Sequence, residues 1–194
     1  MSAGIEFVLA SGSPRRQLLL SAAGYQFSIS RPDVDETPLA DEKPAELVLR
    51  LSGVKALAAK RPDAVVLAAD TIVVRDGLVL GKPTDVDHAV AVLVSLQGRS
   101  HSVMTGWTVK KGSEEQFGVV ESRVVFASRT REELVGYVER TDPLDKAGAY
   151  ALQGDNGWLV TEVKGSRANV MGLPLGEIVP ALVALGVERS GPNR

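Results

Sequence analysis

The spacing of apolar and polar positions predicts strands and helices in turn. Ile5 to Ala10 reads as a buried strand that runs into Ser11-Gly12-Ser13-Pro14-Arg15-Arg16, where Ser13 suits a helix N-cap and Pro14 the first helical position. Tyr25 to Ser30 is a second short strand, followed by the acidic loop Arg31 to Pro38. From Pro44 to Lys60, Leu47, Leu51, Val54 and Leu57, with Ala58, follow the helical period, and Lys55 falls near the edge of that stripe, where a lysine reaches solvent. Val65 to Val74 is a long apolar run with β-branched residues, Arg75-Asp76-Gly77-Leu78 is an Asp-Gly hairpin turn, and Leu78 to Leu80 returns antiparallel toward Gly81-Lys82-Pro83. Thr84 caps a helix over Asp85 to Leu96 with Ala89, Val92, Leu93 and Leu96 inward, and Gly98 ends it. His101 to Lys110 and Gln116 to Ser128 form a hairpin of long strands, in which Thr105-Gly106 marks a bulge or a close backbone approach. Thr130 starts a helix to Arg140 with Leu134, Tyr137 and Val138 inward. The segment Thr141 to Gly154 is a loop, Trp158 to Lys164 a last strand, and Leu175 to Leu185 a closing helix. Residues 1–186 read as one domain and 187–194 as a polar tail.

One position resists this pattern. Asp70, with Thr71 beside it, interrupts the apolar run 65–74, and a carboxylate there loses hydration unless a cation, a metal or hydrogen-bond donors replace it. Two readings stay open: Asp70 is a chemical centre, or it ends one strand and caps a turn before another begins. The hairpin brings Lys82 back toward Asp70 and Thr71, which supplies a cation for the first reading.

Composition narrows the chemistry. The chain has 194 residues and no cysteine, which excludes thiolate catalysis, zinc-thiolate sites and disulfides. Its two histidines, His88 and His101, lack acidic partners at ligand spacing, so His101 reads as a structural polar residue. A formal charge of −2 with mixed signs argues against a nucleic-acid surface. Residues 1–10 do not form a secretory signal and no stretch reaches membrane-spanning length, so the expectation is a soluble cytoplasmic protein with no membrane partner. Ser11, Ser13, Arg15 and Arg16 at a helix start have the makings of a phosphate cradle, although by themselves they fit better a capped helix with two solvated arginines. Asp33, Asp35 and Glu36 are oxygen ligands of the kind a divalent cation takes, or more commonly form a solvated turn, and Gln153 offers the donor and acceptor pair that reads a base edge, or else lies on a surface loop.

Taken together, the segments Leu9 to Arg16, Asp33 to Glu36, Lys55-Ala56, Ala69-Asp70-Thr71, Gly81-Lys82-Pro83, Thr105-Gly106, Asp145 to Tyr150, Leu152-Gln153-Gly154 and Asn169 to Pro174 resemble the Maf family of nucleoside triphosphate pyrophosphatases, in the family's order and over nearly the whole chain. The resemblance implies an α/β fold shared with inosine triphosphatases: a twisted mixed sheet with helices on both sides and two lobes around a central cleft. It implies hydrolysis of a nucleoside triphosphate to the monophosphate and pyrophosphate with a divalent cation, Mg, Mn or Co, and a homodimer is common in the family. The aspartate matching Asp70 is the family's catalytic proton acceptor. Ser-Pro-Arg-Arg, Asp-Thr and Leu-Gln-Gly match the dTTP/UTP pattern, which makes Arg15, Thr71 and Gln153 the specificity positions. Ala151 and Arg167 depart from the residues common at those places.

On that resemblance, Ser11, Ser13, Arg15, Arg16, Lys55, Lys82 and Lys146 are expected to bind phosphates, and Glu36 and Asp70 the metal, with a nucleoside triphosphate as the partner and no nucleic acid. Rival expectations are a pyrophosphatase for 7-methyl-GTP or inosine triphosphate, and a nucleotide-binding regulator of septum formation.

Overall fold

Parallel pairing buries both faces of a strand, and the first strand shows its mark: every residue of β1 (Phe7–Ala10) is buried. The computed structural model describes residues 5–141 and 143–189. β1 pairs in parallel with β2 (Ser28–Ser30) and with β3 (Val65–Arg75). β3 turns at Asp76 and Gly77, both at positive φ as a two-residue hairpin requires, into antiparallel β4 (Leu78–Leu80). The long strands β5 (Ser100–Lys111) and β6 (Glu114–Phe126) follow, and β6 pairs antiparallel with β7 (Val160–Lys164). Hydrogen bonds order the strands of one mixed sheet β2-β1-β3-β5-β6-β7, with β4 on β3 outside that path, which bears out the α/β expectation.

The helices are α1 (Pro14–Ala22), α2 (Pro44–Ala58), α3 (Val86–Leu96), α4 (Arg131–Thr141), the single turn α5 (Arg167–Val170), which the sequence pattern does not mark, and α6 (Leu175–Ala184). Backbone contacts divide the chain into two compact units. One holds residues up to Asp70 with 105–120 and the segment from Gly172, and the other holds 71–104 and 121–171. The division falls inside β3, between Asp70 and Thr71. Each unit has its own apolar core: Phe7, Leu9, Leu67 and Leu182 belong to that of the first, and Leu93, Phe126, Leu134 and Leu159 to that of the second.

Several local expectations change. β3 is one continuous strand, so Asp70 does not end it. On α2 the buried residues are Leu47, Val48, Leu51, Ser52 and Ala56. At about 100° per residue these cover one half-turn with Lys55 in its midst, and Leu57 falls on the far side, where it is 62 % exposed. Counting apolar residues alone therefore misplaced both Leu57 and Lys55. Ser13 holds the N-cap position of α1 but its side chain makes no capping bond. The cap of α3 is Asp85, whose Oδ1 accepts from the His88 amide at 2.7 Å, and not Thr84, which hydrogen-bonds the Asp85 carboxylate instead. Thr130 stands at the start of α4 as expected, and it and Glu133 bond each other's backbone amides through their side chains.

Val187, at the start of the expected tail, is buried in the first core. Residues 190–194 of that tail, and Asp142 in the loop 141–154, lie outside the described residues.

Candidate active site

Asp70 sits where a parallel neighbour runs out. Leu9 is in register with Leu67, so the end of β1 at Ala10 falls beside Ala68, and β3 continues past that end through Asp70. The carboxyl ends of parallel strands are where open α/β sheets bind ligands. Asp70 is 8 % exposed there. Its Oδ1 accepts from Lys55 Nζ at 2.6 Å, and Glu36 Oε1 lies 2.6 Å from the same nitrogen. The side chains of Lys55 and Asp70 are 12 % and 11 % exposed and that of Glu36 is 53 % exposed, so Glu36 closes the trio on its solvent side.

Lys55 reaches this position because α2 lies directly on β5. A Cβ at Gly106 would stand 2.2 Å from the Val48 carbonyl oxygen, and the Ser52 and Thr108 hydroxyls share a 2.9 Å hydrogen bond. Thr105-Gly106 is thus the close backbone approach of the two alternatives, and no side chain but hydrogen fits there.

The acidic loop is held from the same helix. Arg50 donates through Nε and Nη2 to the two oxygens of Glu42, at 2.5 and 2.8 Å, and through Nη2 to the Thr37 carbonyl at 3.1 Å. The Arg50 guanidinium holds the Glu42 carboxyl down at about 2. Nothing in the linear spacing of Glu42 and Arg50 marks this pair, because it forms only once the loop folds back on α2.

Around α1, Arg16 Nη1 donates to Ser11 Oγ at 3.0 Å and Nε to the Gly172 carbonyl at 2.8 Å, while the Ser13 amide donates to Ser11 Oγ at 3.2 Å. Desolvation lowers the Arg16 pKa, and the opposite charges of Asp70 and then Glu36 work against that shift. Arg15 adds a like charge beside it. Ser11, Ser13, Arg15, Arg16, Glu36, Lys55 and Asp70 are therefore gathered in the first unit.

The other expected residues lie in the second unit. Thr71 is half-buried, Lys82 exposed, Lys146 half-buried and bonded to Asp145, and Gln153 exposed. The Gly148 amide donates to the Gly81 carbonyl at 3.2 Å, which joins the Lys82 and Lys146 segments. His101 is buried and hydrogen-bonded to Tyr150, in keeping with a structural role.

Among the described residues no three or more acidic or histidine side chains assemble as a metal cage. Glu36 and Asp70 nonetheless converge on the Lys55 ammonium, and their carboxylate oxygens are the donor type that a hard divalent cation takes.

The fold and this trio define an α/β protein with a carboxylate–cation site at the carboxyl end of its parallel strands. The chain belongs to the Maf-like protein family, which matches residues 6–185. It is 46 % identical over 183 residues to a dTTP/UTP pyrophosphatase of Symbiobacterium thermophilum, covering 93 % of this chain and 94 % of that one. It is 47 % identical over 182 residues to a dTTP/UTP pyrophosphatase of Myxococcus xanthus, covering 93 % and 92 %. A relative of the same name in Vibrio parahaemolyticus is 45 % identical over 180 residues, covering 91 % and 95 %.

Proposed function

We propose that this protein is a nucleoside triphosphate pyrophosphatase that hydrolyses dTTP and UTP to the monophosphate and pyrophosphate. The observation that carries the reading is the buried Asp70 carboxylate bonded to Lys55 Nζ at 2.6 Å, with Glu36 on the same ammonium. The names of relatives that align over nine-tenths of the chain support the substrate pair. Residues 1–186 act as one functional domain, and the working compartment is the cytoplasm.

Breaking a phosphoanhydride asks for positioning and charge neutralisation more than covalent chemistry. Arg15, Arg16, Lys55, Lys82 and Lys146 take the phosphate oxygens, together with Ser11 and Ser13 at the start of α1. Asp70 orients the attacking water and accepts its proton as the oxygen bonds to phosphorus, and pyrophosphate leaves with the bridging oxygen. Asp70 and Glu36 would hold a divalent cation, Mg, Mn or Co, which would supply neutralisation of phosphate charge. Thr71, Arg15 and Gln153 select the pyrimidine base.

The test is pyrophosphate release from a panel of canonical and modified nucleoside triphosphates with each metal, for the wild type and Asp70→Asn. Turnover confined to dTTP and UTP, falling about 10²–10⁴-fold in the variant with nucleotide binding retained, is the expected result. Preference for 7-methyl-GTP or inosine triphosphate would overturn the base assignment. Absence of any turnover, with an effect on septum formation that Asp70→Asn leaves intact, would make the protein a nucleotide-binding regulator.

A further inference from the structure

The segment that carries Lys146 and Gln153 has little regular structure: one turn of 3-10 helix at Ala147–Ala149, with Gly148 at φ 72° and Ala149 at φ 60°. It is nevertheless held at several points. A Cβ on Gly148 would stand 2.8 Å from Val73 Cγ2, so the loop lies against β3 two residues beyond Thr71. The Gly148 amide bonds Gly81, and the Ala151 amide donates to the Tyr137 phenol on α4 at 3.3 Å.

The most buried of these ties is Tyr150. Its phenol oxygen is 2.9 Å from His101 Nε2 on β5, and its ring meets His101 and Phe126 edge-on at 5.4 and 4.8 Å between centroids. His101 is 3 % exposed, and burial pushes its pKa down to about 4, so the imidazole is neutral at neutral pH. Among the described residues the His101 Nδ1 has no partner, which leaves the phenol as the ring's hydrogen-bonding group. Leu152, next to Gln153, is also buried.

We propose that the His101–Tyr150 hydrogen bond, with the Tyr137 phenol, sets the position of segment 147–153 and thereby the base selectivity of the enzyme. The proposal rests on the reading of Gln153 as the base-contacting side chain. His101, Tyr137 and Tyr150 are then positioning residues that touch no substrate. A side chain that discriminates bases by hydrogen bonds needs a fixed backbone, because a displaced amide satisfies a wrong edge as readily as the right one. An irregular loop has no hydrogen-bond ladder to supply that rigidity.

The experiment uses the full chain and compares Tyr150→Phe, which removes only the hydroxyl, with His101→Leu and the reference Gln153→Ala. Two quantities are read: the ratio of kcat/KM for UTP over CTP, and amide hydrogen exchange across 147–153. Tyr150→Phe is expected to lower the ratio about 10-fold, the scale of one hydrogen bond, with kcat for UTP within about 3-fold and faster exchange in the segment. His101→Leu is expected to match it, and the double variant to be no worse than either single one. A lowered ratio in Gln153→Ala with unchanged ratio and exchange in Tyr150→Phe would overturn the proposal and leave Gln153 in its role. An unchanged ratio in Gln153→Ala would overturn that role, and the selectivity claim with it. If Tyr150→Phe does not fold, the same two outcomes are read from His101→Leu.

Discussion

Replacing Gly106 by alanine should damage both stability and catalysis through one displacement. The new Cβ would lie 2.2 Å from the Val48 oxygen, 2.3 Å from its carbonyl carbon and 2.6 Å from the Leu49 nitrogen, against 3.4–4 Å for ordinary contact. All three atoms are helix backbone, so no side chain can swing aside, and α2 and β5 must separate by about 1 Å. Overpacking of this kind costs about 1–3 kcal/mol, opposite in sign to the gain of a few tenths to 1 kcal/mol that glycine-to-alanine brings where space allows. The same movement carries Lys55, two turns further along α2, away from an Asp70 oxygen now at 2.6 Å, and misplacement by about 1 Å is worth on the order of 10² in rate. Urea unfolding and kcat/KM for UTP measure the two effects. Gly53→Ala on the same helix is the control: nothing lies within 4 Å of its Cβ, and it should stabilise by about 0.5–1 kcal/mol. An unfolding midpoint and turnover in Gly106→Ala equal to the wild type would refute the reasoning, because they would mean that α2 does not rest on β5 at this point.

Lys55→Met keeps the aliphatic stem but leaves Glu36 and Asp70 without their shared ammonium, and kcat/KM should fall about 10²–10⁴-fold; a loss under 10-fold would remove Lys55 from the site. His101 makes stability depend on pH. Its folded pKa, about 4, lies below the ordinary 6.5, so as pH falls from about 6.5 toward 4 the unfolded chain takes up a proton that the folded chain refuses, and stability is lost in that window. Denaturant unfolding at pH 7 and pH 4 should show the wild type losing up to about 3 kcal/mol more than His101→Gln, and equal losses would contradict the buried neutral imidazole.

How much of this was legible beforehand follows from the range of each interaction. The run 65–74, the Asp-Gly turn, the start of a helix at Thr130 and the inward face of α4 depend on residues within one turn or one strand of each other, and the chain displays them directly. Motifs in family order mark the candidate site residues, and a carboxylate inside an apolar run singles out Asp70.

Partnership across the chain was not legible. Periodicity sees hydrophobicity, so it buried Leu57 and sent Lys55 to solvent, whereas the fold holds Lys55 in the buried half-turn because two carboxylates from other segments meet it there. Arg50 and Glu42, or His101 and Tyr150, mean nothing until a loop folds back or two elements pack side by side. Most of the elements are legible in the chain alone, because local backbone and side-chain preferences act at short range, while the single turn α5 is not. Only the tertiary structure decided which polar groups satisfy one another in the interior, because desolvation is a property of the assembled surroundings and not of the residue.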